Sequence, residues 1–150
     1  MNGAGSRRKG SGAERELAGC LHDLLGVRLR RNLSQARGGG FDLELEEGAS
    51  GPIAEGLALL AIECKRYATI TPASLAAWWS QACRQAEAAG KWPALCYRGD
   101  RAAWRCRLPL SAVRGDLFSI AWEDADLALD MGLAGLAALI REGGISPRKV

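Results

Sequence analysis

An α/β fold, a mixed central sheet flanked by helices, is predicted for this 150-residue chain by three observations. Two long segments carry apolar residues at helical spacing. Between them lie strand-like runs, the first alternating in polarity and the next almost wholly apolar. The order is helix, three strands, helix, two strands and a small appendage, which is an α/β order.

The length suits one domain with a real core. We expect a basic disordered arm over residues 1–12, one domain over residues 13–142 and a tail over residues 143–150. The composition, 48% hydrophobic and 25% charged, is that of a soluble globular protein.

Residues 13–25 read as the first helix, with Leu17, Leu21, Leu24 and Leu25 on one face. At about 100° per residue, Glu14 falls at the centre of that stripe and Glu16 nearly opposite. Glu14 therefore leans toward the core, where an acid needs a partner, and Glu16 toward water. Gly26 closes the helix. Residues 27–32 make a first strand, and residues 34–40 a loop ending in Gly38-Gly39-Gly40. Residues 41–46 alternate, with Phe41, Leu43 and Leu45 on one face and Asp42, Glu44 and Glu46 on the other. Gly and Pro punctuate residues 48–56, which read as a hairpin loop.

Residues 57–65 then run back antiparallel as a strand covered on both faces. Thr71 caps a second helix with Pro72 in its first turn, and Gly90 ends it. Leu75, Trp78, Trp79, Ala82 and Ala86 form its stripe, with Trp78 in the core and Trp79 partly exposed. Residues 93–97 and 102–108 form two strands joined by a turn at Gly99-Asp100. Residues 118–122 make a short last strand. The acids Glu123, Asp124 and Asp126 open a final helical region, with the helix itself over residues 131–141.

The net charge of +3 does not by itself indicate nucleic acid. Its distribution is uneven: Arg7, Arg8 and Lys9 cluster near the start, and Arg28, Arg30, Arg31 and Arg37 precede the glycine run. Phosphate contacts use such patches, and so does any solvated surface. Five cysteines without a CxxC pair argue against a disulfide framework or a zinc site and fit a reducing cytoplasm. No apolar stretch is long enough for a membrane span, and the first residues lack an apolar signal core.

The chemistry concentrates at the end of the apolar strand. Glu63 and Lys65, two residues apart, point to the same side, roughly 7 Å apart along the strand. Asp42 on the neighbouring strand can sit beside Glu63, and Glu14 leans in from the helix. Two carboxylates that close repel unless they share a proton or a cation. All-oxygen ligands favour Mg2+ or Mn2+. His22 is the only histidine, so a histidine metal site or a histidine base is poorly supplied. A hard cation can hold a phosphate and activate water, with Lys65 orienting that water or stabilising charge on phosphorus. The plainer reading is an ion pair of Lys65 with Asp42 or Glu63, buried for structure.

These residues resemble the PD-(D/E)xK nuclease superfamily. Lys9-Gly10 followed by Ala13-Glu14-Arg15-Glu16-Leu17 is similar to the start of archaeal-type Holliday junction resolvases. So are Arg30 or Arg31 with Ser34, then Asp42, then Glu63-Cys64-Lys65. Gln81 and the strand with Trp104 are similar to features of that group and of related phage endonucleases. The likeness spans roughly residues 9–108. Phe41 stands where the superfamily has its proline, and the segment after Leu108 departs from the resolvases.

The resemblance implies a restriction-endonuclease-like core and magnesium-dependent hydrolysis of DNA, branched or duplex, commonly by a homodimer. It implies Asp42 and Glu63 as metal ligands with the carbonyl of Cys64, and Lys65 as the catalytic lysine. Glu14 would reach the metal through water or a second cation, and Ser34 would lie near the scissile phosphate. Lys9, Arg15, Arg30, Arg31 and Arg37 would touch the DNA backbone. The competing expectation is a non-catalytic DNA-binding or assembly module on a nuclease fold.

Overall fold

The computed structural model describes residues 3–33, 40–117 and 121–148, with side chains from residue 12 onward. Helix α1 (Gly3–Leu25) ends at Gly26, whose φ of 72° is the left-handed conformation that glycine takes without strain. Gly26 donates its N–H to the carbonyl of His22 at 2.8 Å, closing the last turn. Strands β1 (Leu29–Arg31) and β2 (Leu43–Leu45) pair antiparallel. Helix α2 (Pro52–Ala58) then leads into β3 (Leu60–Tyr67), also antiparallel to β2.

Helix α3 (Pro72–Ala89) is the crossover from β3 to the parallel strand β4 (Trp92–Gly99). Its ends are strongly specified. Thr71 and Ser74 form a reciprocal capping box, Pro72 occupies the first turn, and Gly90 closes it at a φ of 67°. Strand β5 (Arg105–Pro109) runs into the short helix α4 (Leu110–Val113). Strand β6 (Ala128–Gly132) precedes helix α5 (Leu133–Arg141). Among the described residues the sheet order is β1-β2-β3-β4-β5-β6. Only the β3–β4 pair is parallel there, so the sheet is mixed and the chain α/β, as the element order predicts.

The sheet separates two apolar layers. On one face, α1, α2 and α5 bring Leu17, Leu21, Leu57, Leu136 and Ile140 onto Leu60, Ile62 and Cys64 of β3 and Ala94 and Cys96 of β4. On the other face, α3 lays Trp79, Ala82 and Cys83 on Leu95. Alternation along β3 therefore turns Glu63, Lys65 and Tyr67 toward the α3 side. Leu21 is wholly buried at the centre of the first layer. Leu21→Ala should cost about 3 kcal/mol, read as a lower urea midpoint with an unchanged slope.

Several elements differ from expectation. The backbone of residues 3–12 is helical where the sequence reads as an arm. Extending a packed helix costs far less than nucleating one, and Ala4, Arg7, Arg8 and Lys9 are good helix formers. The loop over residues 48–56 contains the start of α2, whose Pro52 suits a first helical turn. That insertion delays β3 by three residues, and the strand extends to Tyr67.

Strand β6 replaces the helical reading of residues 128–132, because β5 offers an open edge for it. The acids before it cap a short 3-10 turn, Asp124 accepting from the N–H of Asp126 at 2.9 Å. Residues 118–120 of the expected last strand lie outside the described residues. The two tryptophans exchange their expected roles: Trp79 is buried, and Trp78 is half-buried at the edge of the helix. The stripe of α3 is centred on Ala82 and Ala86, which puts Trp79 nearer its axis than Trp78.

Among the described residues no helix is long and apolar enough to cross a membrane. Cys20, Cys64, Cys83, Cys96 and Cys106 are all free thiols.

Candidate active site

Leu43 lies opposite Ile62 across the antiparallel β2–β3 pair, so continuing the register sets Asp42 opposite Glu63. Both side chains then project on the α3 side of the sheet, about 5 Å apart at their Cβ atoms. Both are buried, Asp42 at 9% exposure and Glu63 at 3%. Asp42 is fixed through two backbone bonds. Its N–H donates to the carbonyl of Ile62 at 2.8 Å, and its Oδ2 accepts the N–H of Cys64 at 2.7 Å. The N–H and C=O of one strand residue project to the same side, so the Cys64 carbonyl is also directed toward Asp42.

Lys65 follows on the same face, its Nζ 3.7 Å from Oε1 of Glu63 and its side chain 17% exposed. It is the cation at the mouth of a buried acid pair. Burial, reinforced by the neighbouring Asp42 charge, pushes the Glu63 carboxyl up to about 9 despite Lys65. Burial also raises Asp42, while the Cys64 N–H pulls the other way. At neutral pH the pair therefore retains a proton on Glu63. Oε2 of Glu63 is buried and accepts no hydrogen bond among the described residues. A buried carboxylate oxygen without a donor is costly, and a hard cation would satisfy it.

Glu14 stands close to this pair, where its charge helps raise the carboxyl of Asp42 and the thiol of Cys64. It is buried, as its place on the stripe of α1 predicts, but its Oε2 is held by Nε of Arg31. Arg31 lies opposite Leu43 and shares the face of the buried Leu29, so this pair sits on the α1 side of the sheet. Among the described residues no group of three His, Cys, Asp or Glu forms a metal-binding cluster. The physical reason is that Arg31 supplies the positive charge that Glu14 needs. Arg31 thus holds a carboxylate through Nε while its side chain stays 39% exposed.

Glu16 is half-buried and paired, where the sequence turns it toward water. Its Oε1 takes Nε of Arg98 at 2.7 Å and the indole N–H of Trp104 at 3.0 Å, and its Oε2 takes Arg66 at 2.9 Å. Burial pushes its carboxyl up, but Arg98, Trp104 and Arg66 outweigh that and leave it below its ordinary value. Trp104, just ahead of β5 and not on the strand read over residues 102–108, thus anchors α1.

Arg15 is exposed and Arg30 pairs with Glu44 at 3.1 Å on the surface. Ser34 and Arg37, and the side chain of Lys9, lie outside the described residues. One neighbour of the site escapes the sequence reading. Tyr67 continues the Glu63–Lys65 face, stays 46% exposed and stacks on Trp78. The i, i+2, i+4 spacing is the signal that could have found it, hidden because the charge at Lys65 reads as the end of the strand.

A mixed sheet that presents Asp42 from one strand against Glu63-Cys64-Lys65 on the next, with a helix packed beside them, defines a restriction-endonuclease-like core. The chain belongs to the family described as "Phage putative PDDEXK endonuclease", whose pattern matches residues 5–126. It is thus a nuclease-family protein of the PD-(D/E)xK superfamily. No curated protein and no solved structure gives a significant match.

Proposed function

We propose that this chain is a DNA endonuclease that uses Mg2+, with Mn2+ as a substitute, and acts on branched DNA. The observation that carries the reading is the buried Asp42–Glu63 pair, with an unsatisfied Glu63 oxygen beside Lys65. Asp42, Glu63 and the Cys64 carbonyl would hold the cation, an all-oxygen set suited to a hard ion. When bound, that ion supplies Lewis-acid stabilisation of the phosphate and lowers the pKa of water.

The protein's own groups do the rest. The Cys64 N–H fixes Asp42 in one rotamer. Lys65 balances the acids and meets negative charge developing on the phosphate oxygens. Glu14, locked to Arg31, positions the β1–β2 edge against α1. Arg15, Arg30, Arg31 and Arg37, with Lys9 on α1 and Ser34 ahead of Asp42, are the backbone-contacting set of this reading. A homodimer would bring two sites to one branched molecule, and sedimentation of the full chain tests that part.

The test of the whole is a Mn2+ and Mg2+ titration on a four-way junction, a flap, a linear duplex and a single strand of matched sequence. Cation-dependent cleavage, with the branched substrates cut at least about tenfold faster than duplex, is expected. Equal rates on junction and linear duplex would remove the resolvase reading. Salt-sensitive binding without any cleavage would leave a non-catalytic module.

A further inference from the structure

Along β3, residues 63, 65 and 67 share the face that α3 covers. Glu63 is buried, Lys65 is at the mouth of the site, and Tyr67 opens to solvent. Tyr67 is not a loose surface ring. Its centroid lies 4.9 Å from that of Trp78 with 20° between the planes, an offset stack. Trp78 is itself fixed, packing from α3 against the layer of Trp79, Ala82, Cys83 and Leu95. One Tyr67 face is thus covered by an indole, while the residue as a whole stays 46% exposed. The chain reverses just beyond, where the N–H of Asp100 donates to the Tyr67 carbonyl at 3.0 Å and holds the backbone.

The result is a rigid, solvent-facing aromatic plane about 7 Å along the strand from the lysine of the site. A phosphate held at Lys65 would have its adjoining nucleotide within reach of that plane. Bases stack on such rings with little regard to sequence, so the ring recognises an open base face and not a base identity. Inside an intact duplex both faces of a base are already covered by its neighbours. Only a nucleotide freed from pairing can present a face to Tyr67.

We propose that Tyr67, backed by Trp78, is a stacking platform for an unpaired nucleotide adjoining the scissile phosphate. It makes the enzyme select DNA with a single-stranded or frayed nucleotide at the cut. This rests on the nuclease reading above for its catalytic part, while the platform itself is a binding surface that can be tested without cleavage.

The experiment compares the full chain with Tyr67→Ala and Tyr67→Phe, each checked for native circular dichroism. Binding of a fluorescein-labelled single strand and of the matched duplex is followed by anisotropy in Ca2+. Cleavage of the same two DNAs is followed in Mn2+. Tyr67→Ala should weaken single-strand binding about 5- to 150-fold. It should raise KM on that strand by the same factor, with kcat little changed and a smaller effect on duplex. Tyr67→Phe, which keeps the ring, should restore both.

Unchanged single-strand affinity in Tyr67→Ala, or an equal loss on both DNAs, would overturn the platform. If the wild type binds the single strand through Tyr67 but cuts nothing in Mn2+ or Mg2+, the platform stands and the nuclease reading fails. Cleavage that is indifferent to Tyr67 leaves the nuclease standing and removes the platform.

Discussion

Asp42→Asn should reduce metal-dependent cleavage by about 10³-fold or more while leaving the metal-free fold at least as stable as the parent. The two halves of that expectation have one cause. Asp42 is a buried charge that meets the Cys64 N–H and two further acids, Glu14 and Glu63. An amide oxygen at the same place still accepts from Cys64, so the backbone anchor survives. What disappears is the charge that a divalent ion would bind, together with the cost of holding that charge away from water. A residue present for structure would behave in the opposite way, because removing one partner of a useful buried pair destabilises the fold. Single-turnover cleavage with saturating Mn2+, run beside thermal melts in EDTA, separates the two cases. Near-parental cleavage by the variant would end the assignment of Asp42 as a metal ligand.

Lys65→Ala supplies the companion measurement. It removes the one cation within 4 Å of Glu63 among the described residues. Its loss should again abolish cleavage, but here the fold should be destabilised above about pH 9, where Glu63 ionises without its counter-charge. Activity lost in both variants with opposite stability changes is a signature of a site built for an ion.

Much of this was legible in the sequence because the informative residues break a local rule. Glu63 and Lys65 interrupt an apolar strand, and Glu14 interrupts the stripe of α1. A polar residue at an apolar position has to be explained by a partner. The ends of α3 were equally legible, since Thr71, Pro72 and Gly90 each act on the backbone within a few residues. What stayed hidden depends on tertiary choices.

Nothing near Arg31 says that it will turn to Glu14. That choice follows from β1 pairing with β2 in a register that puts Arg31 opposite Leu43, on the α1 side. Glu16 is similar. Its three partners, Arg66, Arg98 and Trp104, come together only after the sheet has formed. Strand β6 was missed because a short run such as Ala128–Gly132 is set by the free edge of β5 more than by its own pattern. Tyr67 was missed for a simpler reason. Charge at Lys65 looked like the end of a strand, whereas parallel pairing with β4 carries β3 to Tyr67, opposite Gly99.

The second large effect is a pH-dependent stability that a cation should cancel. In the folded, metal-free protein Glu63 holds its proton up to about 9, against an ordinary value of 4.5 in the unfolded chain. Between those values the folded state binds more protons than the unfolded state. Stability therefore falls as pH rises through this window. The contribution is complete below 4.5 and gone above about 9. Asp42, also raised, adds to the lower part of the fall. Glu16 has the opposite sign, being lowered, but its window lies below 4.5 and does not interfere. Tyr97, raised to about 12 from 10 by burial and by Asp130, acts only above the window.

Melts in EDTA should thus lose many degrees between about pH 5.5 and 8.5, the span of one practical buffer series inside that window. A divalent cation held by the ionised pair would expel that proton, so the gain in Tm from about 10 mM Mg2+ or Mn2+ should grow with pH over the same span. Glu63→Gln should flatten the slope and abolish the gain together, because both arise from one carboxyl. A steep slope that survives in Glu63→Gln would place the titrating group elsewhere. A flat profile in the parent, with no stabilisation by either cation at the alkaline end, would mean that the buried acids are neither sharing a proton nor waiting for an ion.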